Sequence, residues 1–285
     1  MQGGSESDMK NIRMIALDLD GTLLNDENNI SDRSRGILGR YAHAGVHIVL
    51  STGRMEQSVV GYEDIMGIDC ALILYNGAMV KVKRAEGRRT VLHIPLEEAY
   101  GDFMIDYSLR HGFLLNYYLN ETLYADGNPE LRKCAEFYTA QTGARYNFTR
   151  DMRSLKGQTP TKLILMTDPD DDANQLRSQS SQFKYFSGFF GNKVNLFRTG
   201  PVYLEFLNRH ADKGVGLRIL AERYGIRKDE ILAFGDREND ISMFQYSGAG
   251  VAMKNADPHV RSSASAITEF TNNEDGVARY LERHL

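Results

Sequence analysis

Three short apolar runs, at residues 12–18, 46–50 and 70–75, are separated by two segments of helical length. Ser31 and Asp32 open the first segment and Gly45 closes it; the second extends from Arg54 to about Met66 and stops at Gly67. Hydroxyl and carboxylate side chains satisfy free N–H groups at a helix start, and Gly takes the backbone out of the helix at its end. The apolar runs do not alternate with polar residues, so both faces of each strand are covered. Strands linked through helices by short connections run parallel, which restricts the chain to a layered α/β arrangement. The alternation resumes at Asp212. A helix at 212–224, a strand at 231–234, a helix at 238–246 and a strand at 249–252 are followed by helix-like segments around 258–263 and 274–285.

Between these halves the rhythm changes. Strands are predicted near 90–94, 113–119, 122–125, 161–167, 184–190, 193–198 and 202–207, and helices near 96–111, 129–142 and 171–182. Neighbouring strand segments read as hairpins. The expected fold is therefore α/β, a Rossmann-like core with a central parallel sheet, interrupted by an α+β domain with an antiparallel sheet. The core takes residues 9–82 and 208–285, the insert 83–207, and residues 1–8 form a flexible tail. The insert holds 19 of the 28 Phe and Tyr residues and carries 16 basic against 15 acidic side chains, which leaves −5 on the remainder. An aromatic load of this kind builds a second hydrophobic core more often than a ligand-contacting face.

Composition excludes several classes of function. With 285 residues, 42% hydrophobic and 25% charged, the chain reads as globular rather than disordered. Its net charge of −4 offers no basic surplus for a phosphate backbone, so no nucleic-acid partner is expected. Cys70 and Cys134 lie far apart with no metal or redox spacing, which fits a reducing, cytoplasmic setting. No apolar run approaches the ~18 residues of a membrane span, so no membrane partner is expected. Composition leaves function open; the expectation for the chain itself is a monomer or weak homo-oligomer.

The chemistry concentrates where strands end. Asp18-Leu19-Asp20-Gly21-Thr22 follows the first apolar run directly. In extended backbone Asp18 and Asp20 point to the same side, and two partly buried carboxylates require a proton or a cation between them. Ser51-Thr52-Gly53-Arg54 follows the second run and opens a helix, whose N-terminus suits an anion, although Ser-Thr is also an ordinary helix cap. Lys213 opens the helix that resumes the alternation, and alone would read as a surface lysine. Gly235-Asp236-Arg237-Glu238-Asn239-Asp240 places a second acidic cluster at the end of the 231–234 strand. Hard oxygen donors at one sheet edge suggest a Mg²⁺ site. His43 and His47 are split by Gly45 and do not read as a metal pair.

In this order, with Asn76-Gly77, Asp212-Lys213-Gly214 and the segment 250–256 (GVAMKNA) also in place, these motifs resemble the haloacid dehalogenase superfamily. The nearest branch is the Cof type, subclass IIB, with a large C2-type cap inserted after the third core strand. The resemblance covers nearly the whole chain and implies a Mg²⁺-dependent phosphatase acting on a small phosphorylated metabolite, a sugar phosphate by preference. It implies Asp18 as the nucleophile that forms an aspartyl-phosphate, Asp20 as the acid and then the base, and Lys213 as positive charge on Asp18 and the phosphoryl oxygens. Phosphate contacts fall to the Leu19 N–H, Thr52, Gly53, Arg54, Lys213 and Asn239. The metal set is Asp18, Asp20 through its carbonyl, Asp236 and, directly or as outer support, Asp240. The cap would close during transfer and set substrate choice. A phosphomutase with the same intermediate and a non-catalytic phosphate-binding regulator are the alternatives.

Overall fold

The structure is a computed structural model that describes residues 11–167, 178–199 and 202–283. The expected tail at 1–8 and the first part of the expected helix at 171–182 lie outside the described residues. In chain order the elements begin with β1 (Met14–Leu17), α1 (Asp32–His43), β2 (His47–Ser51), α2 (Val60–Met66), β3 (Ala71–Leu74), β4 (Met79–Lys81) and β5 (Thr90–His93). There follow α3 (Glu98–His111), β6 (Leu114–Leu119), β7 (Thr122–Asp126), α4 (Arg132–Thr142), β8 (Tyr146–Thr149), β9 (Lys162–Met166), α5 (Gln179–Phe190), β10 (Val194–Thr199) and β11 (Tyr203–Asn208). The chain ends with α6 (Lys213–Tyr224), β12 (Ile231–Gly235), α7 (Ile241–Tyr246), β13 (Ala249–Ala252), α8 (Pro258–Ser263), β14 (Ala266–Ile267) and α9 (Gly276–Glu282). The described residues before His93 and after Ala211 form one compact unit, and those of His93–Ala211 a second.

The first unit holds an eight-stranded sheet in the order β14-β13-β12-β1-β2-β3-β4-β5. Every residue of β1 is buried, and β1 pairs in parallel with β12 and β2, placing Leu17 opposite both Phe234 and Leu50. This register brings the chain out of all three strands at one edge, the carboxyl edge where α/β sheets bind ligands. Met14, Ala16, Val49, Ile73, Ala233, Leu217 and Leu220 share one apolar core between sheet and helices.

Two features of this unit depart from the sequence expectation. β4 pairs antiparallel with β3, so the sheet is not purely parallel. The Asn76-Gly77 turn makes this hairpin: Gly77 has φ +95°, and a Cβ there would lie 2.1 Å from the Asp212 carbonyl oxygen. The turn thus seats Asp212, whose Oδ1 caps α6 by accepting from the Val215 N–H at 2.9 Å. The helix expected from Arg54 begins only at Val60, after a 3₁₀ turn at Glu56–Ser58. The backbone groups of Arg54 are engaged elsewhere: its N–H donates to Thr52 Oγ1 and its carbonyl accepts from the Tyr75 N–H.

The second unit holds a six-stranded sheet in the order β10-β11-β9-β6-β7-β8. It is antiparallel except for β7 and β8, which run parallel; β8 was not anticipated in the sequence. The segment 184–190, expected as a strand, is helical and belongs to α5. Its aromatic residues favour strands locally, but Phe183, Phe186 and Phe190 recur at helical spacing against Leu204 and Phe206, and Ser178 caps the helix by accepting from the Ser181 N–H. Phe186 is fully buried, its ring edge-on to Phe206 at 5.1 Å. Much of the aromatic content therefore does build a core. Among the described residues no helix is long and apolar enough to cross a membrane.

Candidate active site

The first loop of the site is built by Gly21. With φ +82° it turns the chain sharply after Asp20, and the Leu24 N–H closes the loop onto the Leu19 carbonyl at 2.9 Å. A Cβ on Gly21 would lie 2.5 Å from Asp236 Oδ2, so the loop lies directly against the second acidic motif. Thr22 joins the two motifs, its hydroxyl donating to Asp236 Oδ1 at 3.0 Å. Nothing in the local sequence pattern assigns Thr22 this contact.

Asp18, Asp236 and Asp240 are brought together. They are buried, and one carboxylate oxygen of each lies within 4.8 Å of the others. Lys213, buried at the start of α6, donates to Asp18 Oδ1 at 2.7 Å and to Asp240 Oδ1 at 2.6 Å. Asp240 Oδ2 accepts from the N–H groups of Asp236 and Arg237, both at 3.0 Å. Asp240 therefore uses both oxygens to hold Lys213 and the loop, which leaves Asp18 and Asp236 as the more available donors.

Burial raises the Asp18 carboxyl well above the usual range; the Lys213 charge opposes this, while Asp240, Asp236 and Asp20 add to it. Burial and the Asp240 charge likewise raise Asp236 to about 6, against the Thr22 hydrogen bond and the cations Arg237 and Lys213. Burial also works against the Lys213 ammonium, but the charges of Asp18 and Asp240 outweigh it and raise its pKa. With all three carboxylates ionised, the buried Lys213 ammonium leaves two negative charges, one of them on Asp236, whose Oδ2 lies 3.2 Å from Nε of the exposed Arg237. Such a donor set, buried hard oxygens with net negative charge, fits a divalent cation.

On the anion side, Thr52 is buried at the end of β2, its N–H donating to the Ile73 carbonyl at 2.8 Å. Asn76 has φ +54° and sits against Gly53, where a Cβ would meet its Oδ1 at 3.1 Å. Asn239 donates from Nδ2 to that same Oδ1 at 2.8 Å, while its own Oδ1 is buried with no hydrogen-bond partner among the described residues. Asn76 thus orients Asn239. The sequence offered only the Asn-Gly turn pair as a signal for it. The Leu19 side chain is fully buried, so any phosphate contact from this residue falls to its main chain.

Asp20 and Arg54 are placed on each other. Arg54 Nε donates to Asp20 Oδ2 at 2.9 Å, and Nη2 to Oδ1. The Asp20 carboxylate, half exposed, is not one of the three clustered carboxylates. His43 and His47 form no pair: His43 Nδ1 lies 2.7 Å from the Gly39 carbonyl, and the His47 ring packs on Tyr224 with centroids 4.2 Å apart.

The chain resembles characterised proteins over most of its length. A family model described as haloacid dehalogenase-like hydrolase matches residues 15–281. The 5-amino-6-(5-phospho-D-ribitylamino)uracil phosphatase YitU of Bacillus subtilis (strain 168) is 29% identical, over 95% of this chain and 97% of YitU. A Thermotoga maritima protein, TM0651, has a crystal structure that matches with a TM-score of 0.83 at 30% identity, over 95% of this chain and 97% of that one. A haloacid dehalogenase-like hydrolase from Bacteroides thetaiotaomicron matches with a TM-score of 0.84 at 26% identity, over 96% of this chain and all of its own.

Proposed function

The chain belongs to the haloacid dehalogenase-like hydrolases, in the Cof-type branch, and from that premise we propose that it is a Mg²⁺-dependent phosphatase working through an aspartyl-phosphate. The observation that carries this reading is the contact of Lys213 with both Asp18 and Asp240 beside Asp236, at the carboxyl edge of the sheet.

Asp18 attacks phosphorus, and the ester P–O bond breaks. Asp20 gives the leaving oxygen its proton, then takes one from the water that attacks the acyl-phosphate and frees Asp18. Thr52, the Leu19 and Gly53 N–H groups and Asn239 hold the phosphoryl oxygens, and Lys213 offsets their charge. Asp18 and Asp236, with the Asp20 carbonyl, would hold Mg²⁺, and Asp240 would support from behind through Lys213. When bound, Mg²⁺ supplies positive charge to the phosphoryl oxygens and favours ionised Asp18.

A phosphorylated sugar is the proposed substrate class. YitU, named for a phosphoribitylamino compound, supports a phosphate ester on a polyol chain. The inserted unit, expected at 83–207 and found as His93–Ala211 because β5 joins the sheet of the first unit, is proposed as the cap that sets substrate choice. The two cysteines, Cys70 and Cys134, far apart in the chain and without metal or redox spacing, support a cytoplasmic setting.

The test is Asp18→Asn assayed on p-nitrophenyl phosphate with Mg²⁺. Hydrolysis should be abolished while circular dichroism is unchanged; retained turnover overturns the mechanism. A panel of phosphorylated sugars scored for phosphate release tests the substrate class, and isomerisation without release would identify a phosphomutase instead.

A further inference from the structure

Arg54 is held by three side chains at once. Nε and Nη2 grip the Asp20 carboxylate, Nη1 donates to the Tyr62 hydroxyl at 3.1 Å, and Nη2 also donates to Asn28 Oδ1 at 3.0 Å. A guanidinium is a rigid planar fork. With its edges fixed by Tyr62 and Asn28, one orientation remains for the edge that meets Asp20.

Both anchors stand on fixed backbone. Tyr62 lies in α2, next to Glu63, which is buried and accepts from the Cys70 N–H and from Arg88. Asn28 has φ +58° in a closed loop: its N–H donates to the Asn25 carbonyl, and the Asn25 side chain accepts from the N–H groups of Glu27 and Asn29. A left-handed Asn is tolerated there where most side chains would be strained.

We propose that Tyr62 and Asn28 are positioning residues for the acid–base group: by fixing Arg54 they set where Asp20 stands when it delivers its proton. The inference rests on the reading of Asp20 as that group. A carboxylate on the surface has several rotamers of similar energy, and proton transfer needs one of them. Arg54, itself long and flexible, selects a rotamer for Asp20 only if something first fixes Arg54.

The experiment measures kcat/KM, which reports the steps through leaving-group departure, across aryl and alkyl phosphates of rising leaving-group pKa. An acidic leaving group departs without a proton, whereas an alkoxide does not. Asp20→Asn should lose activity steeply towards the alkyl esters. Tyr62→Phe and Asn28→Gly, the latter compatible with the left-handed backbone, should show the same slope more weakly, about tenfold on alkyl phosphates and under about twofold on p-nitrophenyl phosphate. Asn28→Asp, which keeps the acceptor, should restore the parent slope. Inhibition by inorganic phosphate should be unchanged in Tyr62→Phe and Asn28→Gly.

If Asp20→Asn steepens the slope while Tyr62→Phe and Asn28→Gly lose activity uniformly or not at all, the positioning inference falls and the mechanism stands. If Asp20→Asn shows no leaving-group dependence, the acid–base reading falls and takes the inference with it.

Discussion

Lys213 and Asp18 stand 195 residues apart in the chain, and Lys213 Nζ lies 2.7 Å from Asp18 Oδ1. The pair ties the end of β1 to the start of α6, so a contact within the acidic cluster also joins the two halves of a discontinuous unit. Stability and activity should therefore fail together when it is broken.

Lys213→Met should lower kcat by about 10²–10³, as removal of a preorganised charge does. It should also cost about 3–5 kcal/mol of stability, because it strands buried carboxylates. Urea unfolding read by circular dichroism checks the second figure. The deficit should widen as pH rises, since carboxyls raised by burial must then ionise without a counter-charge. A variant as stable as the parent at pH 8 would show that the contact contributes little.

Gly21→Ala should be destabilising by about 1–3 kcal/mol, from its φ of +82° and from the 2.5 Å approach of the new Cβ to Asp236 Oδ2. Because the displaced atom belongs to the proposed metal set, the Mg²⁺ concentration for half-maximal activity should rise as well. Lost stability with unchanged Mg²⁺ dependence would separate the loop from the metal.

Divalent cations should raise Tm. A ligand that binds only the folded state at 100 times its Kd stabilises by about 2.7 kcal/mol. Mg²⁺ added to chelator-treated protein should shift the melting curve upward, and Asp236→Asn should remove most of the shift. An equal shift in both proteins would place the cation elsewhere.

Acid should destabilise the fold partly through His47. Burial, with the charges of Lys83 and Arg13, lowers its pKa to about 4, and its Nδ1 is buried without a hydrogen-bond partner among the described residues. The unfolded chain binds this proton near the ordinary 6.5 and the folded one only near 4, so stability is present above 6.5 and is lost as pH falls through that window. His47→Gln should flatten the profile between pH 6.5 and 4, measured by denaturant midpoints. A profile of unchanged slope would assign the acid sensitivity to other groups.

Much of the first unit was legible because its signals are local. The apolar runs at β1, β2, β3 and β12 bury both faces, and Gly45 and Gly67 end the helices where they stand. The segment 184–190, strand-like in sequence and helical in the structure, shows the limit. Its Phe and Tyr residues favour strands as individuals, and the partners that select a helix, Leu204 and Phe206, lie in a strand of β11. Similarly, β4 and β8 are short pieces held by their neighbours β3 and β7, with little pattern of their own.

The sequence alone determined which residue types reach the carboxyl edge: Asp18, Thr52 and Asp236 each follow a strand whose parallel direction its own pattern dictates. Tertiary structure decided how those groups are divided among tasks. Asp20 and Asp240 are both acidic residues of strand-end motifs. Only packing puts Asp240 under Lys213 and two backbone N–H groups, and Asp20 on an Arg54 fixed by Tyr62 and Asn28. The physical reason is range: strand and helix patterns act over a few residues, whereas the charge, burial and hydrogen bonds that assign a carboxylate its role come from chain segments that meet only in the folded molecule.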